Sequence, residues 1–265
     1  MLGAITGDII GSPYEWHNIK TKHFKLIRNR SRFTDDTVMT VAVATALMVA
    51  KQNGVLDDEH SVKSLLVASM HNWGQTYIDA GYGGRFLQWL ENNEIDPYYS
   101  YGNGSAMRVS PAGWIADDLE TTRKIARWTA EVTHNHPEGI KGAEAVAAAI
   151  FMARAYKTKD EIKDYISHEF GYNLSRTCDK IRRRYKFDVS CQGSVPEAII
   201  AFLEGRDFED VVRNAVSLGG DSDTIAAIAG SIAEAFYGVP DEIVDACVQK
   251  LPEDMLQVVQ AWKEN

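Results

Sequence analysis

The stretch GGDSDTIAAIAGSIAEAFYG, residues 219–238, decides the fold. From Ser222 onward its apolar residues recur at three- and four-residue spacing, the period of an α-helix. The run is apolar almost all round and dense in Ala and Gly. That describes a helix buried in a core, where small side chains let neighbouring axes come close. Yet it opens on two carboxylates, Asp221 and Asp223, with Ser222 and Thr224 interleaved. A buried helix that starts with this much negative charge needs something to hold the charge.

The same helical period runs outward through the chain. It appears in TVMTVAVATALMVAK, DDEHSVKSLLVASMHNWGQTY, TTRKIARWTAEVTH, EGIKGAEAVAAAIFMARAY, VPEAIIAFLEG, FEDVVRNAVSLGG and EDMLQVVQAWKEN. Several of these segments follow Asp, Ser or Thr, or end in Gly, the usual helix boundaries. Strand-like alternation is nearly absent, YKFDVSC (185–191) being the best candidate. No Pro-, Ser- or Gly-rich linker divides the chain. The expectation is an all-α fold, a compact helical bundle in one domain over residues 1–265.

The bulk numbers agree and exclude some roles. With 265 residues, 45% of them apolar, the chain can bury a sizeable core. A net charge of −9 repels phosphate backbones and argues against general nucleic-acid binding. The longest apolar stretch, VMTVAVATALMVA, has 13 residues, too few to span a bilayer. The N-terminal residues carry Asp8 and Glu15 and no basic leader. Three widely spaced cysteines, Cys178, Cys191 and Cys247, predict free buried thiols in a reducing cytoplasm. The expectation is a cytoplasmic monomer with no membrane partner.

A second stretch matches the first. FTDDTVMTVAVATA, residues 33–46, also places an Asp-Thr pair at the start of an Ala-rich apolar helix. Capping explains one carboxylate at each helix start, because the helix dipole and its free N–H groups favour an anion there. It does not explain two, nor their alternation with hydroxyls. If the two helix starts meet, Asp35, Asp36, Asp221 and Asp223 share one site. Two unit charges about 4 Å apart repel by about 4 kcal/mol at an effective dielectric near 20. Such a cluster would take up protons or hold cations, and an all-oxygen donor set without His or Cys suits Mg²⁺, Mn²⁺ or Ca²⁺ better than zinc.

At this point the chain resembles a known family. TDDT near one end and GGDSDT near the other look like the paired metal motifs of the ADP-ribosylglycohydrolases. Three further stretches agree in the family's order: GAITGDIIGSPYEW (3–16), GNGSAMR (102–108) and VSCQGSVPEAIIAFLEG (189–205). The resemblance runs from about residue 2 to about residue 238. It implies an all-α fold, a binuclear centre of two divalent cations, Mg²⁺ or Mn²⁺, and hydrolysis of the bond between C1″ of ADP-ribose and an acceptor. It carries Thr34, Asp35, Asp36, Asp221, Asp223 and Thr224 over as metal ligands. Glu15 matches the family's opening glutamate, and the candidates for general base are Glu15, Asp35 and Asp36.

On the substrate side, Asn103, Gly104, Ser105 and Met107 are expected to contact the diphosphate and ribose. The Gly-rich loop allows close backbone approach, and Arg108 adds a cation. In EVTHNHPEG (131–139), His134 best fits a family histidine that touches substrate. Tyr82, on the Gly-rich DAGYGGRFLQWL (79–90), is a candidate to stack on adenine or flank the ribose. The expected partner is an ADP-ribosylated protein or small-molecule acceptor, with arginine as the first choice of linkage. Two rivals use the same residues. One is a Mg²⁺-dependent phosphohydrolase of nucleotide-like substrates, whose acids ordinarily sit inside facing helices rather than at helix starts. The other is a non-catalytic ADP-ribose-binding protein, disfavoured because all six ligands are present.

Overall fold

The computed structural model describes residues 1–264. Among them are fifteen α-helices and no strand. In chain order they are α1 (Leu2–Gly11), α2 (Asp35–Gln52), α3 (Glu59–Thr76), α4 (Gly84–Glu91), α5 (Gly104–Met107), α6 (Ala112–Ile115), α7 (Leu119–Glu131), α8 (Pro137–Arg154), α9 (Lys159–Phe170), α10 (Cys178–Arg182), α11 (Cys191–Glu204), α12 (Phe208–Leu218), α13 (Ser222–Tyr237), α14 (Asp241–Val248) and α15 (Glu253–Lys263). The all-α expectation holds.

Helix α13 is the centre of the bundle. Residues 222–233 are all buried, and the helix packs on α1, α8, α11 and α12. Its apolar circumference has a neighbour on every side, as its sequence predicts.

Helix α1 lies antiparallel along α13 at backbone contact. Gly3, Gly7 and Gly11 recur every fourth residue, so they share one face. A Cβ on Gly3 would stand 2.1 Å from the Gly230 carbonyl oxygen, and one on Gly7 2.1 Å from that of Ala226. A Cβ on Gly11 would come 2.5 Å from Asp223 Cα. The stripe therefore draws the end of α1 to the acidic start of α13. At the other end the Met1 ammonium pairs with Glu234 at 2.7 Å. Three glycines weaken the intrinsic preference of α1 for helix, and this packing restores it.

The strand-like YKFDVSC is not a strand. It makes one isolated antiparallel bridge, Gly102 to Ser190, with Asn103 N donating to Val189 O at 2.7 Å and Cys191 N to Tyr101 O at 2.9 Å. That bridge ties the 102–108 loop to the start of α11. All three cysteines are free and buried. No helix among the described residues is long and apolar enough to cross a membrane.

Candidate active site

The first acidic helix start is built around Thr34. It is the N-cap of α2, its hydroxyl accepting from Asp36 N at 3.4 Å. The same hydroxyl donates to Asp8 Oδ1 at 2.7 Å. Asp8, fully buried on α1, also accepts from Thr34 N at 2.9 Å, from Thr37 N at 3.2 Å and from the Thr37 hydroxyl. Four donors thus hold one buried carboxylate, and through it α1 is tied to α2. The sequence reading passed over Asp8. Its signal was a charged residue inside the small and apolar run TGDIIG, where an unpaired charge is rarely buried.

The second helix start meets the first. Thr224 Oγ1 donates to Asp36 Oδ2 at 3.2 Å. Asp221 Oδ2 accepts from Asn103 Nδ2 at 2.7 Å, and Asp223 Oδ1 from Thr224 N at 3.0 Å. Carboxylate oxygens of Asp8, Asp36 and Asp223 lie within 4.8 Å of one another, and so do those of Glu15, Asp221 and Asp223. Asp223 belongs to both groups. Asp35 stands outside both but lines the same cavity.

Crowding and burial make these groups hard to ionise. Burial raises Asp35, Asp36 and Asp223 well above the usual carboxylate range, with further rises from Asp8 and Asp221 among the neighbouring charges. Asp221 rises mainly by burial. Asp8 is pushed up to about 6 by burial, against its four hydrogen bonds, and Glu15 to about 6 by burial and then the Asp221 charge. The buried Asp36 Oδ1 has no hydrogen-bond partner among the described residues. A bare buried oxygen beside five further carboxylates, in a set with hydroxyls and no thiol or imidazole, is the donor chemistry of a hard cation site. The residues present fit divalent cations.

All of these carboxylates except Asp8 line one cavity of about 450 Å³. Tyr82, Phe86, Tyr98, Ser100, Gly102, Gly104, Met107, Arg108 and His134 also line it, with the exposed Trp16, Phe187 and Val189. Trp16 and Phe187 stack with centroids 5.2 Å apart and are exposed, another feature the sequence reading missed. Trp16 stands in no hydrophobic period and Phe187 in the strand-like alternation of residues 185–191, so only the fold places them together.

The expected site residues divide between the cavity and its supports. Glu15, Asp35, Asp36, Asp221, Asp223, Thr224, Tyr82, Asn103, Gly104, Met107 and His134 all line it. Ser105 does not. Its buried hydroxyl donates to Gly139 O at 2.7 Å, away from the cavity, because α5 turns that face onto the start of α8. Thr34 does not line it either; its hydroxyl lies between Asp8 and Asp36. Asn103 bridges Ser194 and Asp221 through Nδ2, so that amide orients a carboxylate. Arg108 is 1% exposed and donates to Thr129 O and Thr133 Oγ1, at 2.9 and 2.7 Å. His134 is held well below the usual imidazole range by burial and then the Arg108 charge. The Tyr82 hydroxyl has no partner among the described residues.

Fold and cavity define a class: an all-helical protein with an acidic, oxygen-lined cavity able to hold hard cations. More closely, the chain belongs to the ADP-ribosylglycohydrolase family, whose model matches residues 1–265. It is similar to human ADP-ribosylhydrolase ARH3, 26% identical over 93% of this chain and 87% of that one. The chicken ADP-ribosylhydrolase ARH3 is 29% identical with the same coverage. Among solved structures, an "ADP-ribosylglycohydrolase-related protein complex" shares the fold with a TM-score of 0.68, at 22% identity over 98% of this chain and 95% of that one.

Proposed function

We propose that the protein hydrolyses the glycosidic bond between ADP-ribose and its acceptor, with two divalent cations, Mg²⁺ or Mn²⁺, at the carboxylate cluster. The observation that carries this reading is the meeting of the two helix starts at Thr224 and Asp36, with Asp36 Oδ1 left bare. Asp36, Asp221, Asp223 and Thr224 would hold the cations, with Asp35 and Glu15 beside them. When bound, the cations neutralise the carboxylates and attract the vicinal ribose hydroxyls as Lewis acids.

The chain's own residues do the rest. Thr34, Thr37 and Asn103 hold Asp8 and Asp221 in place before substrate arrives, so little reorganises during reaction. Water adds at C1″ as the bond to the acceptor breaks; the acceptor atom keeps the bonding pair, the water proton passes to a carboxylate, and that proton then goes to the acceptor. Glu15 is the one we assign to take it, since it is half-buried in the cavity lining while Asp36 is buried among the other carboxylates. Asp35 and Asp36 stabilise the positive charge that develops on the sugar. Arginine is the proposed acceptor: a planar cation is favoured by the acidic cluster and by the exposed Trp16–Phe187 stack.

The test is a panel of arginine-, serine-, nucleobase- and acetyl-linked ADP-ribosyl substrates, with products separated by chromatography. Intact ADP-ribose from the arginine substrate, in the presence of Mg²⁺ or Mn²⁺, is the expected result. Release from another linkage alone would overturn the acceptor, and AMP as product would point to pyrophosphate cleavage. No ADP-ribose from any substrate would overturn the function.

A further inference from the structure

We infer that Arg108 and Thr133 are positioning residues that hold His134 as the tautomer with its proton on Nε2, so that a neutral N–H is offered to the cavity. The inference rests on the proposed function only for what receives that N–H, an oxygen of the ADP-ribose diphosphate.

Arg108 Nη2 lies 2.7 Å from Thr133 Oγ1 and 2.9 Å from Thr129 O. A guanidinium only donates, so Thr133 accepts from Arg108. Thr133 has one proton of its own to give. His134 Nδ1, 2.7 Å from Thr133 Oγ1, receives it. The imidazole is neutral, since it is buried beside a fixed cation, so its single proton sits on Nε2. The opposite tautomer would set Nδ1–H against a hydroxyl that already accepts from Arg108. The Thr133 proton would then need another acceptor in a place where Thr133 is fully buried.

The other ring nitrogen faces the glycine loop. A Cβ on Gly104 would stand 3.0 Å from His134 Nε2, and one on Gly102 3.5 Å. Both glycines line the cavity with His134. Their missing side chains leave Nε2 open to a ligand in the cavity. A neutral donor suits a diphosphate oxygen there, and Arg108 serves that oxygen through the histidine it fixes.

The experiment uses the full chain labelled with ¹⁵N-histidine. The His134 signals are assigned by their absence from His134→Asn. Expected in the wild type are a protonated Nε2 and an unprotonated Nδ1 near neutral pH. Thr133→Val removes the donor to Nδ1, and the signals should move toward a mixture of tautomers. ADP-ribose Kd should rise about ten-fold, the worth of one well-placed hydrogen bond. Thr133→Ser should restore both readouts, and thermal melts confirm that each variant folds. A protonated Nδ1 in the wild type, or unchanged histidine signals in Thr133→Val, would overturn the inference. If the wild type binds no ADP-ribose, the proposed function fails while the spectrum still decides the tautomer.

Discussion

The two acidic helix starts read alike in sequence and are used differently. At α2, Thr34 caps the helix and its hydroxyl also grips Asp8, so the residues that shape the site fasten α1 to α2. At α13, Asp221 occupies the N-cap position but makes no side-chain cap bond. Its carboxylate is held instead by Asn103, from a loop more than a hundred residues away in sequence. The first start therefore serves the fold and the site together, whereas the second gathers charge for the site with little return in local stability. A helix start that leaves its cap unmade, with two buried carboxylates raised in pKa, is better explained by a ligand than by the helix.

The largest expected effect falls where the two starts are joined. Asp223 belongs to both carboxylate groups, so Asp223→Asn should lower turnover by on the order of 10²–10³-fold, comparable to losing a preorganised transition-state contact. Steady-state rates with saturating Mg²⁺ or Mn²⁺ measure this; a variant keeping a tenth of the rate would break the idea of a shared centre. Next comes the contrast itself. Thr34→Val removes a cap and a buried hydrogen bond to Asp8, which should cost about 1–3 kcal/mol of stability even without cations. Asp221→Asn should leave the cation-free melting temperature unchanged or raised, while weakening its rise on cation addition. Calorimetry of both variants with and without cations checks the pair, and equal cation-free losses would erase the distinction.

A smaller effect is expected with pH. Asp8 is raised from 3.8 to about 6 in the fold, so the folded protein binds this proton more tightly than the unfolded chain. Its contribution is fully present below pH about 4 and is lost as pH rises through about 6. Cation-free protein should thus lose on the order of 2 kcal/mol across that window, and saturating cation at pH 7 should restore stability. Melting curves between pH 4 and 7 in chelator follow this, and cation-free stability that climbs with pH would contradict it. The smallest effect belongs to Ser105→Ala. Its hydroxyl meets Gly139 and not the cavity, so about 1 kcal/mol of stability should go while ADP-ribose Kd stays within about two-fold. A large loss of affinity, measured by titration calorimetry, would mean that the loop turns when substrate binds.

The sequence by itself determined the helical class and the acids. Apolar residues at helical spacing must be buried along one face, whatever their neighbours, and buried helices such as α8 and α13 declare themselves by small residues on every side. Charge at the mouth of such helices is equally local, and so Asp35, Asp36, Asp221 and Asp223 were legible from spacing alone, with the resemblance to the family suggesting the cation-binding role proposed for them. Helix α1 was not legible as a helix, because its glycines oppose helix locally and are justified only by the backbone of α13 lying 2.1 to 2.5 Å from where their Cβ atoms would be. Asp8 went unread for a related reason: its four donors come from Thr34 and Thr37, residues of another helix start. The direction of Ser105, the hold of Asn103 on Asp221 and the burial of Arg108 behind His134 follow from how α5, α7, α8 and α11 pack around one short loop. Residue type says which hydrogen bonds a side chain can make. Only the tertiary structure chose the partner, because a buried polar group must take whichever partner the packing brings within 3 Å or so.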